Sequence, residues 1–438
     1  MPGWANAVMV LTALAQSHGS GVCQDNNLPP RTPPPCESAS IMFSEAEQTV
    51  TLTGDMGCTP SEMADVVPEG ALTTVPGLPG VWMLRANVVL REGATLLLHG
   101  PRAGGDVEEL RLLSTPAGFI SIQAAWGAVD IQGTRVTSWD ETAGVPDLLH
   151  EDGRAFISVR SFLQDEQPRE SRMDIRDSDV GYLGHFDDSA YGLAWRVSGT
   201  GDSGEDSPVF DEVEVRGVVL SSRIHHNYMG GYMWGASCME WVGNEVAHNA
   251  VYGIDPHDNS DRLLIADNLV HHNGTHGIIC SKNCDHLVIR NNTSSFNGRH
   301  GIMLHLDVVV STVEGNRSHD NGGWGIAIFQ SHSNVIRGND LYRNQYGLHV
   351  YERSRYNVVE GNVVHDNTDV GIRFSEHASA NSVRDNVLFD NALSGLGREE
   401  SDGQDVGFNQ FDRVPGHNHP LDPNIAPRPD AGQADPDE

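Results

Sequence analysis

The segments NAVYGI at residues 249–254, NGTHGI at 273–278, NGRHGI at 297–302 and NGGWGI at 321–326 decide the fold of this chain. Successive copies begin 24 residues apart. Related copies extend the series in both directions, with asparagines at positions 227, 249, 273, 297, 321, 344, 367 and 391. An interval of 22 to 24 residues indicates a repeat architecture, in which each unit buries its apolar side only against its neighbours.

A second asparagine series, at positions 268, 292, 316, 339, 362 and 386, runs in step with the first. Asparagine tolerates left-handed turns, and stacked copies at one corner can hydrogen-bond to each other. Short apolar runs bounded by glycine and charged residues separate these turns. A leucine-rich repeat has a similar period, but its L-x-x-L-x-L frame is absent. The sequence therefore predicts an all-β fold, a right-handed parallel β-helix with about 23 residues and three short strands per coil.

We place the β-helix at residues 41–411, with its clearest coils at 220–396. The apolar stretch in residues 1–15 ends in A-L-A, which is typical of a signal peptide; a disordered or truncated leader is the alternative. A linker is predicted at 16–40 and a disordered acidic tail at 412–438. Six cysteines fit an exported protein with one or two disulfides of undetermined pairing. We therefore predict a secreted or periplasmic protein.

The charge is strongly negative, because 60 acidic residues outnumber 28 basic ones and give a net charge of −32. This composition excludes general nucleic-acid binding, which needs a basic face. No apolar run reaches the 18 or more residues that a membrane span requires. An anionic partner could bind only where the surface is less negative than the chain as a whole. We predict such a neutral to positive face over residues 252–376. We also predict a monomer.

Strand periodicity assigns the side chains around each repeat glycine to two faces. The first and third residues after the glycine face the core. The residue before it and the second and fourth residues after it face outward, and they stack in columns about 4.8 Å apart. These columns contain the rings of Tyr252, His257, His276, His300, His305, Trp324, Phe329, Tyr346, His349 and Tyr351. Such a strip suits a sugar chain lying along the sheet, although ring stacking between coils needs no ligand.

One coil, Tyr252-Gly-Ile-Asp-Pro-His-Asp258, departs from the rest. Pro256 stands at a core position and removes a ladder donor, which a sheet tolerates only where it is interrupted. Asp255 and His257 are predicted to lie side by side on the exposed face. A tyrosine, several histidines, a carboxylate and a cation within two strand spacings are suited to proton abstraction next to a carboxyl group.

This heptapeptide, followed by LLIADN at residues 263–268 and HGII at 276–279, resembles the mannuronan C5-epimerases. The similarity is to the periplasmic, alginate-biosynthetic type with its D-P-H-D motif, and it extends more weakly over residues 80–396. The resemblance implies conversion of β-D-mannuronate to α-L-guluronate within an anionic polysaccharide, a uronan such as alginate. We predict no metal and no cofactor for this reaction.

The resemblance also implies roles for individual residues. His257 would be the base that removes the C5 proton, and Tyr252 would be the acid on the opposite face or would hold a water in that place. Asp255 would orient His257 or bind the sugar carboxyl group, and Asp258 would support the motif. The family's neutralising arginine is replaced by Lys282, the only lysine of the chain, which offers a point charge instead of a bidentate fork.

A wider set of residues is predicted to bind substrate, although each is also compatible with a surface or ladder position. Its members are Asp258, His276, Ser281, His300, His305, Asp307, Arg353 and Arg373. Two other functions remain open at this stage. A polysaccharide lyase shares proton abstraction at C5 but expels the 4-linked oxygen, and a non-catalytic β-helix would only bind carbohydrate.

Overall fold

The computed structural model describes residues 32–187, 190–199, 207–398, 401 and 403–412. Over these ranges the chain winds through three long sheets in turn, and nearly every strand pairs in parallel with the equivalent strand of the next coil. This confirms the predicted parallel β-helix. The predicted signal peptide, most of the linker and nearly all of the acidic tail lie outside the described residues.

The first sheet carries the strands that follow the repeat glycines. Its strands are Ile41–Ser44, Thr49–Thr53, Asn87–Arg91, Ser121–Ala125, Phe156–Gln164, Gly192–Val197, Met229–Trp234, Ile254–His257, Ile278–Ser281, Ile302–His305, Ile326–Phe329, Leu348–Tyr351, Val370–Phe374 and Ser394–Arg398, with Gln167–Arg169 beside Phe156–Gln164.

The second sheet is built from shorter strands. They are Gly57–Cys58, Thr95–His99, Ala128–Gln132, Arg172–Arg176, Arg216–Leu220, Glu240–Val242, Leu264–Ala266, Val288–Arg290, Thr312–Glu314, Val335–Arg337, Val358–Glu360, Ser382–Arg384 and Asp405–Val406.

The third sheet completes each coil before the chain returns to the first. Its strands are Leu72–Thr74, Val81–Leu84, Glu109–Thr115, Arg135–Trp139, Asp179–Gly181, Arg223–His225, Glu245–Ala247, Leu269–His271, Thr293–Ser295, Arg317–His319, Asp340–Tyr342, Val363–His365, Val387–Phe389 and Gln410–Asp412, with Gly118–Phe119 beside Glu109–Thr115.

The N-terminal end of the β-helix is closed by irregular structure. Ile41–Ser44 pairs antiparallel with Thr49–Thr53, and the short helix Pro60–Ala64 begins with a capping box formed by Thr59 and Glu62. A disulfide joins Cys36 to Cys58, which confirms that the chain contains at least one. The other helical segments are Val209–Glu212 and the 3₁₀ turns Ser38–Ser40 and Pro101–Ala103. None of the described helices is long and apolar enough to cross a membrane.

Buried asparagines form ladders along the corners of the β-helix. In the predicted second series, Asn292 Nδ2 donates to Asn316 Oδ1 at 3.0 Å and to the carbonyl of Ile265 at 2.9 Å. The first series stacks in the same way, and a third, shorter ladder that the sequence did not reveal joins Asn334, Asn357 and Asn381. The ladders satisfy amide groups that would otherwise be buried without partners, which stabilises the corners.

The core is continuous along the axis. The inward column Ile254, Ile278, Ile302, Ile326, Leu348 and Ile372 is completely buried, as predicted. The repeat glycine is required because the chain packs tightly at this corner: a Cβ on Gly301 would lie 1.9 Å from Ser318 Oγ. Neighbouring coils therefore fix one another's register, and the outer columns stack in fixed order.

Candidate active site

The outer face of the first sheet brings the predicted site residues together. Cα pairing aligns His257 with Ser281, and Ser281 with His305, on three successive strands. Between Ile254–His257 and Ile278–Ser281 only the first and last residues pair in register. The ladder is interrupted at Asp255 and Pro256, as expected where proline supplies no N–H.

His257 is held on three sides. Its Nδ1 atom contacts Oδ2 of Asp258, and its ring stacks on Trp234 at a centroid distance of 5.7 Å with an interplanar angle of 7°. The ring of Tyr232 lies 5.5 Å away. A proton on Nδ1 directed at the carboxylate makes Nε2 the nitrogen that accepts a proton. The carboxylate in contact with His257 is thus that of Asp258, for which the family resemblance implied only a supporting role.

The predicted ring columns are stacked along the sheet. Tyr252 packs on His276 at 5.4 Å, and His276 packs on His300 at 4.8 Å. The column continues from His300 to Trp324 at 4.3 Å and from Trp324 to Tyr346 at 5.7 Å. A second column runs from His305 through Phe329 to Tyr351, with 5.0 Å at both steps. The outer face therefore presents two parallel rows of rings.

The outward residues are far less exposed than the sequence indicated. Asp255 is 0% exposed and His257 is 3% exposed, so the expectation of solvent-exposed side chains was wrong. The reason is that bulky outer side chains pack against one another as a second apolar cluster, separate from the core, which contains Tyr252, Ile279 and Met303. Strand spacing leaves little room between stacked rings.

Lys282 occupies the turn that follows Ser281. Its backbone is left-handed, with φ of 59°, and its carbonyl accepts a hydrogen bond from the N–H of Asn259 at 3.1 Å. The residue therefore stands one coil beyond the Asp258–Asn259 turn that holds His257. Within the described ranges Lys282 forms no ion pair with a carboxylate.

The other predicted substrate-binding residues divide into three groups. Asp307 and Arg353 lie exposed on turns at the edge of the first sheet, where Asp307 is 3.9 Å from Nε2 of His332. Arg373 lies on the strand Val370–Phe374, five strands beyond His257, and its guanidinium donates to the hydroxyl of Tyr346. Ser281, His276, His300 and His305 are buried in or beside the ring columns.

Burial dominates the electrostatics of the ring columns. Burial, reinforced by neighbouring His276, lowers the pKa of His300 well below its usual value. Burial and the positive charge of Arg373 lower the pKa of His349 to about 3. Both imidazoles are therefore neutral near pH 7 and act as polar rings, not as cations.

Sequence reasoning missed the coil before the motif. Tyr232 pairs in register with Asp255, and burial raises the pKa of Tyr232 well above its usual value, with a further contribution from Asp255. Arg196 lies 5.3 Å from the ring of Trp234 and 5.9 Å from that of Tyr232. The sequence does contain an equivalent segment, Gly231-Tyr-Met-Trp234, which pairs with Ile254–His257. It was not recognised because a second glycine stands where the other coils carry an aliphatic residue.

Comparison with known proteins supports the fold and the predicted family resemblance. The profile of a family described as "Periplasmic copper-binding protein (NosD)" matches residues 213–362 and 283–411. The mannuronan C5-epimerase of Pseudomonas aeruginosa is 31% identical over 212 residues, which are 48% of this chain and 35% of that protein. Mannuronan C5-epimerase AlgG of Azotobacter vinelandii is 32% identical over 190 residues, 43% of this chain and 33% of that protein. The matched regions thus span about a third of these relatives.

Two solved structures share the architecture. The periplasmic alginate epimerase AlgG superposes with a TM-score of 0.74 at 22% identity, covering 83% of this chain and 85% of that one. The A-module of the Azotobacter vinelandii mannuronan C-5 epimerase AlgE6 gives a TM-score of 0.56 at 14% identity, covering 76% and 89%. At these identities the structures establish the parallel β-helix. The similarity to mannuronan C5-epimerases inferred from the motif is confirmed by the sequence matches.

Proposed function

We propose that this chain is a polysaccharide C5-epimerase that converts β-D-mannuronate to α-L-guluronate within alginate. The observation that carries the proposal is the arrangement at one interrupted coil, where Asp258 orients His257 and Lys282 follows on the next coil. The named activity of the matched relatives supports it, as does the ring-lined face on which a polymer can lie.

The first chemical step is removal of the C5 proton. This hydrogen is weakly acidic while the adjacent carboxylate is charged, so a cation must neutralise that carboxylate. In our proposal the Lys282 ammonium does so, and Nε2 of His257 accepts the proton as the C5–H bond breaks. The electron pair is delocalised onto the carboxyl group, and His257 becomes an imidazolium stabilised by Asp258.

The second step returns a proton to C5 from the opposite face while the C4–O bond stays intact. Tyr252, 1% exposed and stacked on His276, is the proposed donor or the group that holds a donating water. Asp255 is proposed to bind the sugar carboxyl or ring hydroxyls from the same strand. Because the proton leaves from one face and arrives at the other, the configuration at C5 inverts.

The remaining site residues are proposed to hold the polymer. His276, Ser281, His300 and His305 would contact the sugar at the reacting position, and Asp307 would contact a hydroxyl at the edge of the sheet. Arg353 and Arg373 would bind carboxylates of uronate residues farther along the chain. We also propose that the protein acts as a monomer in the periplasm or outside the cell, on an anionic polysaccharide.

Proton NMR of polymannuronate incubated with the protein in heavy water tests this function. The expected result is guluronate signals and deuterium at C5 without loss of chain length. An ultraviolet-absorbing unsaturated product with chain cleavage would identify a lyase instead. A saturable interaction with no exchange at C5 would identify a carbohydrate-binding protein.

A further inference from the structure

A cluster of histidines lies on the third sheet, where the strands Glu245–Ala247 and Leu269–His271 end. His248 and His272 occupy equivalent left-handed turn positions of successive coils, with φ of 59° and 56°, and their rings stack at 5.1 Å. The Nδ1 atoms of His271 and His272 are 2.8 Å apart. One ring nitrogen from each of the three histidines lies within 4.8 Å of the other two.

We propose that His248, His271 and His272 bind a divalent transition-metal ion of the zinc class through their imidazole nitrogens. Imidazole suits zinc, copper and nickel, whereas magnesium and calcium prefer oxygen ligands. Three protein nitrogens with a fourth position for water form a common zinc coordination set. In the described part of the chain no other group of three histidine, cysteine or acidic side chains converges in this way.

Glu245 supplies an orienting contact. Its Oε1 atom is 3.5 Å from Nε2 of His271. A proton on that nitrogen directed at the carboxylate leaves the Nδ1 lone pair of His271 pointing toward His272. A carboxylate behind a ligating histidine is the usual arrangement that fixes the ring and raises its basicity.

The geometry requires only small side-chain movements. Metal–nitrogen bonds of about 2.1 Å place tetrahedral ligand nitrogens about 3.4 Å apart. The Nδ1 pair of His271 and His272 must therefore open slightly from 2.8 Å, and the His248 nitrogen starts within 4.8 Å of a ring nitrogen of each of the other two. His248 and His272 are exposed turn residues, so their side chains can rotate without disturbing the core.

The site is independent of the proposed epimerase chemistry. The histidine cluster stands on the third sheet, whereas His257 and the ring columns stand on the outer face of the first. Metal binding should consequently leave epimerase activity unchanged, and a failure of either proposal does not affect the other.

Isothermal titration calorimetry of the full chain, stripped with EDTA and titrated with zinc chloride, tests the site. We expect one zinc ion per chain with micromolar or tighter affinity, and a loss of at least about 30-fold in the variant His248→Ala/His272→Ala. The matched control is His365→Ala, because His365 ends an equivalent strand of the same sheet but contacts Asp340 and Asp366 instead. That control should bind zinc like the unmodified chain.

Two further measurements complete the test. Electron paramagnetic resonance with one equivalent of Cu²⁺ should show coupling to three nitrogens, reduced to at most one in the double variant. Melting in EDTA should be the same for the variant and the unmodified chain, because both substituted side chains are exposed. Absence of saturable zinc binding, or equal zinc binding by the double variant, would overturn the proposal.

Discussion

The Nδ1 atom of His257 contacts the carboxylate of Asp258, its neighbour in sequence, because the strand ends at His257 and the backbone turns into the left-handed region at Asp258. The turn redirects the second side chain toward the first. The same pattern recurs on the third sheet, where His365 Nδ1 lies 2.7 Å from Asp366 Oδ2. Only the first pair adjoins Lys282, so the two pairs allow a matched comparison.

Asp258→Asn should reduce kcat by about 10²- to 10⁴-fold, because an amide no longer fixes the histidine tautomer or stabilises the imidazolium. Asp366→Asn is the control and should retain full activity. Steady-state kinetics on polymannuronate measures both. A fall in kcat of similar size in the two variants would show that the contact matters only for folding.

Lys282→Met should reduce kcat by about 10²-fold or more, since loss of a charge that stabilises the developing carbanion costs this much at comparable sites. Lys282→Arg should keep most activity, because the positive charge is retained. Arg355→Gln, an exposed cation beside Tyr356, serves as the control for surface charge. Activity of Lys282→Met within about threefold of the unmodified chain would exclude Lys282 as the neutralising group.

Trp324→Ala should raise KM for polymannuronate about 10-fold, equivalent to about 1.4 kcal/mol, if the ring columns bind sugar. Trp324 stacks on His300 and stands edge-on to His349 at 4.4 Å. Tyr342→Ala removes a comparably stacked ring from the third sheet, 4.6 Å from His319, and should not change KM. An unchanged KM in Trp324→Ala would mean that the ring column stabilises the stacking of the coils and does not bind sugar.

Stability should fall in acid partly through His349. Its pKa is about 3 in the folded chain and about 6.5 when unfolded, so the unfolded chain binds more protons below pH 6.5. Folded-state stability is therefore lost as the pH falls from about 6.5 toward 3, by about 2 kcal/mol at pH 5. Urea denaturation at pH 7.5 and 5.0 should show a smaller loss in His349→Gln. Equal losses would contradict this assignment.

Asn316→Ala should lower the free energy of unfolding by about 2–4 kcal/mol, because it leaves buried polar groups unsatisfied on both neighbouring coils. Asn316 Nδ2 donates to Asn339 Oδ1 at 3.0 Å and to the carbonyl of Ile289 at 2.9 Å. Asn291→Gly is the control, since Asn291 is exposed with φ of 55°, which glycine adopts freely. Urea denaturation of both variants measures the difference.

The repeat architecture could be predicted from the sequence because the corner geometry requires asparagine and glycine at fixed positions of each coil. Where the corners use other residues, as in the coils before position 220, no register could be assigned. The ladder through Asn334 was not predicted because it contains only three asparagines. The order of the outer columns followed from strand periodicity, but their burial did not, since it depends on packing between Tyr252, Ile279 and Met303 on different coils.

The orientation of the His257 ring could not be predicted from the sequence either. Both Asp255 and Asp258 are close to it in the chain, and only the turn geometry selects Asp258. Trp234 was missed because its contact with His257 is made between coils, from a position 23 residues earlier in the sequence.

The position of Lys282 also makes it suitable for selective chemical labelling. It carries the only side-chain amine of the chain, next to the proposed reacting sugar and without an ion-paired carboxylate in the described structure. Besides the terminal α-amine, an amine-directed reagent would therefore attach a fluorophore or crosslinker to a single side chain. The occupancy of the site by polymer could then be followed as protection of that amine, without any engineered cysteine and independently of turnover.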